Sequence, residues 1–105
     1  MSGKALTSSA PAGEFDASIQ PLRERVDAID LQLVALLNAR AEIVAEIYAL
    51  KLRHGVTRFD SARTSAILDR LAAASAGPLS GDDIRAIFTP LLKYFVERYS
   101  PPKED

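Results

Sequence analysis

A chain of 105 residues, 48% of them apolar, has room for one domain with a modest core. Thirteen basic against fourteen acidic residues leave a formal net charge of −1, which gives no electrostatic case for nucleic acid or an anionic membrane as partner. Without cysteine there is no disulfide framework, thiolate chemistry or zinc-thiolate site, which fits a reducing, cytoplasmic setting, and the single histidine, His54, cannot make a metal cluster alone.

Residues 1–16 read as a disordered tail. Ser8, Ser9, Pro11 and Gly13 sit among too few large side chains to repay ordering of the chain. The stretch from Met1 to Gly13 also lacks the hydrophobic core of a secretory signal.

The helical domain is expected over residues 17–100, with Asp16 or Ser18 as first cap and Pro21 in the opening turn, where no amide donor is needed. Leu22, Val26, Ile29, Leu33, Leu36, Arg40, Ile43, Ile47 and Leu50 then follow in alternating steps of four and three, the signature of one long helix with one buried stripe. Such a helix from Ile19 to Arg53 would be roughly 50 Å long, whereas a compact chain of this size has a radius of gyration of only about 13 Å. One copy cannot fold around its own rod. An intertwined helical homodimer is therefore expected. The helix carries charges every few residues, so it is not a membrane span. It should stop at Gly55 in the left-handed region, with His54 an exposed residue of the last turn.

A second helix is expected from Asp60 or Ser61 to about Ala76, with Ile67, Leu68 and Leu71 inward and Gly77-Pro78 as its stop. Ser80 looks like the cap of a third helix, with Asp82 and Asp83 at the positive end of its dipole and Ile84, Ile87, Phe88, Leu91, Leu92, Phe95 and Tyr99 at helical spacing. Pro90 should kink or loosen one turn there. Ser100-Pro-Pro102 ends it, and residues 101–105 read as a frayed tail. With no alternating segment of useful length, the fold class is all-α: a three-helix protomer with one long N-terminal helix.

Arg40 stands where the stripe calls for an apolar residue. A cation on a seam more often snorkels or forms an inter-helix ion pair than binds a ligand. Lys51, however, lies eleven residues further on, and at about 100° per residue the two point within roughly 20° of each other. Their backbones are about 16 Å apart along the axis, so inward-leaning side chains leave a gap the width of one small organic ring, floored by Val44 and Ile47. Asp60 and Arg63 follow at the next helix start, though Asp60 taken singly is as readily an N-cap. Arg23 lies about 100° round the helix from Arg40, so it serves the same pocket only from the other copy of a dimer. Several cations over an apolar floor, with no nucleophile, metal or cofactor motif, suit a small dicarboxylate held in one reactive shape by orientation and fixed charge.

The segments Leu22-Arg23-Glu24, Asp27, Ile29-Asp30, Leu36-Leu37-Asn38-Ala39-Arg40, Lys51, Asp60-Ser-Ala-Arg63 and Ile84-Arg-Ala-Ile-Phe88 together resemble the small all-helical chorismate mutase family over about residues 20–100. The resemblance implies a three-helix protomer in an entwined dimer with shared pockets, and the cofactor-free conversion of chorismate to prephenate. By position it implies that Arg40 and Arg23 of the partner subunit hold carboxylates, Arg63 assists at the ring carboxylate, Lys51 meets the ether oxygen and Asp60 lines the hydroxyl side of the ring. Two positions depart from the family pattern. Thr64 stands where Glu is usual, and Tyr99 stands where Gln or Glu is usual.

Alternatives remain open at this point. One is a mutase or pyruvate lyase acting on 4-amino-4-deoxychorismate or isochorismate. Another is a non-catalytic dimerisation or regulatory module whose cations pair with Glu24, Asp27, Asp30, Glu42 and Glu46. A third is a weak mutase activated by docking to another shikimate-pathway enzyme.

Overall fold

The computed structural model describes residues 12–56 and 59–99, so the expected tails lie outside it up to residue 11 and from residue 100 onward. Three helices account for it: α1 (Ala12–Arg53), α2 (Ser61–Ala74) and α3 (Gly81–Tyr99). No strand occurs among the described residues, and the all-α expectation holds.

Helix α1 is already formed at Ala12, so neither Asp16 nor Ser18 caps it. Pro21 consequently sits inside the helix and not in its opening turn. Lacking an amide proton, it leaves the carbonyl one turn earlier without its usual helical donor. The other end follows expectation closely. Gly55 adopts φ +69°, the Val56 amide donates to the Lys51 carbonyl at 2.8 Å, and the Gly55 amide donates to the Leu52 carbonyl at 3.2 Å. These two bonds satisfy terminal carbonyls in the crossed pattern of a glycine-stopped helix.

Helix α2 begins as expected, with Asp60 as N-cap accepting from the Arg63 amide at 3.0 Å. It ends two residues before the expected Ala76, because the Ser75 hydroxyl donates to the Leu79 carbonyl at 2.7 Å and closes the turn around Gly77-Pro78. Helix α3 opens on a reciprocal cap: the Asp83 amide donates to Ser80 Oγ at 3.0 Å while the Ser80 amide donates to Asp83 Oδ2 at 2.9 Å. Two orphan donors are satisfied at once. Helix α3 continues through Pro90 without interruption.

The chain divides into two compact units, one ending at Ala39 and the other beginning at Arg40. The described part of the first is α1 alone, and its stripe residues Leu22, Val26, Ile29, Leu33 and Leu36 are 51–66% exposed. In the second, α2 packs against α3. An ion pair from Arg85 Nη2 to Asp69 Oδ1 at 2.9 Å links these helices. Gly81 permits their close approach, since a Cβ there would stand 3.3 Å from the Ala72 carbonyl oxygen. Among the described residues only Leu92 and Phe95, both on α3, are buried.

Candidate functional site

The second unit holds a cavity of about 240 Å³, near the small end of ligand pockets. The last turns of α1 supply Arg40, Val44, Ile47 and Lys51, and the start of α2 supplies Asp60, Arg63 and Thr64. Seven of the nine residues expected at a site are thus brought together. Arg40, Val44, Ile47 and Lys51 share a wall because steps of four and three return to one helix face.

Arg40 is the unusual group. Its Nη1 is buried and has no hydrogen-bond partner, the one side-chain polar atom so left among the described residues. Its guanidinium carbon lies 4.5 Å from the centroid of the Phe95 ring, and it forms no ion pair among the described residues. Burial first, and the neighbouring charge of Arg63 second, push its pKa below the ordinary arginine value. Both causes disfavour the cation, and a bound anion would counter both. Lys51 Nζ lies 4.9 Å from the centroid of the Tyr48 ring, likewise with no acidic partner among the described residues.

Asp60 serves two ends. Its carboxylate is engaged by the α2 cap, and its carbonyl accepts from the Thr64 amide at 3.3 Å and the Thr64 hydroxyl at 3.5 Å. The hydroxyl of Thr64 is therefore turned back toward the helix start. Three cations against one carboxylate leave the lining with a surplus of two positive charges. Phe59, Ile67, Leu92, Phe95 and Val96 make much of the remaining lining apolar. Such an arrangement can neutralise a small dianion, press its nonpolar part against hydrocarbon and offer N–H donors at fixed positions.

Two expected residues lie elsewhere. Tyr99 is absent from the lining, and its ring stacks on Phe95 at 5.9 Å and 15°. Arg23 belongs to the first unit, where it lines a surface groove of α1 with Ile19, Leu22, Val26 and Asp27. Sequence reasoning missed Tyr48, Phe59 and Phe95 as members of the site. Phe95 stands at helical spacing on α3, but an aromatic so spaced signals core and nothing more. Tyr48 lies off the main α1 stripe, and its spacing of four from Val44 and three from Lys51 went unread.

No group of metal-ligating side chains occurs among the described residues, and no described helix is long and apolar enough to cross a membrane. Over 88 residues the chain is 31% identical to the T-protein of Haemophilus influenzae, an alignment that takes in 82% of this chain and 22% of that relative. It thus spans less than a quarter of the relative's length. Residues 22–99 match the family model described as chorismate mutase type II, which takes in α2, α3 and most of α1, and by that match the chain belongs to the chorismate mutase type II family.

Proposed function

We propose that the protein is an isomerase that converts chorismate to prephenate without a cofactor, using two shared pockets in a homodimer. The observation that carries this is Arg40, which lines a cavity with two surplus positive charges and whose Nη1 is a buried donor without a partner among the described residues. A donor so placed costs about 1–3 kcal/mol in an empty site, and a carboxylate oxygen removes that cost.

In the proposed reaction Arg40 and Arg23 of the partner subunit hold the substrate's carboxylates, with Arg63 assisting at the ring carboxylate. Val44 and Ile47 form the floor that keeps the enolpyruvyl arm folded over the ring. The ether C–O bond breaks as a C–C bond forms within the same molecule, so no group enters or leaves. Negative charge builds on the ether oxygen, and Lys51 stabilises it more strongly in the transition state than in the ground state. Asp60 lines the ring-hydroxyl side, where Thr64 stands in place of the family's usual Glu.

Tyr99 could contribute at the ether oxygen only by leaving its stack on Phe95. The dimer is supported by the exposed apolar stripe of α1, which leaves each protomer with two buried side chains among its described residues. The lack of cysteine, which suits a reducing compartment, supports a cytoplasmic enzyme.

A close analogue is the second reading, favoured by Thr64 in the lining with its hydroxyl turned toward the Asp60 carbonyl. Under it the substrate is 4-amino-4-deoxychorismate or isochorismate, rearranged or cleaved to release pyruvate. A non-catalytic dimerisation or regulatory module is the third reading, its cations pairing with Glu24, Asp27, Asp30, Glu42 and Glu46; within one protomer Arg40 and Lys51 form no ion pair among the described residues.

The test incubates purified protein separately with chorismate, isochorismate and 4-amino-4-deoxychorismate, following loss of each diene and identifying the product. Prephenate from chorismate is expected. Faster turnover of an analogue would transfer the assignment to it, and turnover of none would favour the module.

A further inference from the structure

We propose that Phe95 and Tyr48 are positioning residues, whose ring faces hold the cations of Arg40 and Lys51 in the cavity where acidic side chains would otherwise do so. Their role in turnover rests on the chorismate-type activity proposed above.

A flexible cation at a cavity wall must be held by something, because fixing one costs up to about 2 kcal/mol in rotamer freedom. A carboxylate would hold it, but would also cancel its charge and occupy its donors. An aromatic face attracts the cation through its ring quadrupole and accepts no strong hydrogen bond, so the N–H groups at the guanidinium edge stay free. Both lining cations that come from α1 show this arrangement, at 4.5 Å for Arg40 on Phe95 and 4.9 Å for Lys51 on Tyr48. Neither has an acidic partner among the described residues.

The Phe95 ring is itself fixed. It is 7% exposed, with Tyr94 edge-on at 6.0 Å and 89° and Tyr99 stacked at 5.9 Å. Tyr99 therefore acts on the site through Phe95 in this geometry. Tyr48 and Lys51 are three residues apart on α1, so their contact is local to one helical turn and survives any change in α2 or α3. This also accounts for a buried donor left unpaired without collapse of the Arg40 side chain toward solvent.

The test uses the full chain in four variants, Phe95→Leu, Phe95→Tyr, Tyr48→Leu and Tyr48→Phe, with folding checked by helical circular dichroism. NMR of the wild type reads positioning without any substrate. Side-chain protons of Arg40 and Lys51 should be shifted upfield by ring currents, and the Leu variants should return them to ordinary positions. Chorismate kinetics then read the consequence. Phe95→Leu should raise KM by about 3- to 30-fold with a smaller change in kcat, and Tyr48→Leu should lower kcat by a similar factor with a smaller change in KM. Phe95→Tyr and Tyr48→Phe keep the ring and should recover most of each loss.

Unshifted protons in the wild type, or Leu and ring-retaining variants impaired alike, would overturn the proposal. Shifts present in the wild type and lost in the Leu variants, in a protein that consumes no chorismate, would support the positioning roles while overturning the proposed activity.

Discussion

Arg40 shows a conflict between stability and use that is visible at one atom. Its charge is disfavoured in the folded protein, because burial first and Arg63 second both penalise the cation. Replacing it by a shorter apolar residue removes a buried donor that has no partner among the described residues. Arg40→Leu should therefore raise the thermal midpoint by about 4 °C or more while abolishing turnover, as expected where a site is kept at the expense of stability. A fall in the midpoint by differential scanning calorimetry would show that Arg40 is a structural residue.

Much of this site was legible from angles along α1. Arg40, Lys51, Val44 and Ile47 are fixed to one face by helical geometry alone, so their meeting needed only the helix. Phe95 and Tyr48 were not legible as site residues. Their contribution depends on where a ring lies relative to a guanidinium or an ammonium group, which periodicity does not specify.

At the scale of elements, the caps carry the local stability. Ser80→Ala removes the Oγ that accepts from the Asp83 amide, one of the two reciprocal bonds that open α3, and should cost about 1 kcal/mol in denaturant unfolding. Gly55→Ala forces a Cβ into a left-handed conformation at φ +69° and should cost about 1–2 kcal/mol by the same measurement. No change in unfolding free energy for either variant would contradict the assigned cap or stop.

Both signals were readable because capping and stopping depend on the residue type at one position. The start of α1 was not. Helix formation at Ala12 places Pro21 in the interior, and no side chain near Ala12 advertises a start, whereas Asp16 and Ser18 do. Pro21→Ala restores one backbone donor and should raise helical content by circular dichroism. The end of α2 was missed for a related reason: Ala72, Ala73, Ala74 and Ala76 all favour helix, and the Ser75 hydroxyl bond that closes the turn joins residues four apart.

For the molecule as a whole, the apolar stripe of α1 decides the proposed assembly. Residues from Leu22 to Leu36 at 51–66% exposure need a partner surface, and a second copy supplies one with the same spacing. Light scattering should give twice the chain mass of 11.4 kDa. A charge in the middle of the stripe, as in Leu33→Glu, should yield unfolded monomer. A folded monomer of 11.4 kDa in the unmodified protein would remove both the dimer and the contribution of Arg23.

The most direct measurement mixes Arg23→Ala and Arg40→Ala protomers, each inactive alone, and follows chorismate consumption after subunit exchange. A heterodimer then carries one pocket with both arginines and one with neither. Statistical exchange should restore about one quarter of wild-type turnover. Absence of any recovery after mass spectrometry has confirmed the heterodimer would contradict a dianion held jointly by Arg40 of one copy and Arg23 of the other.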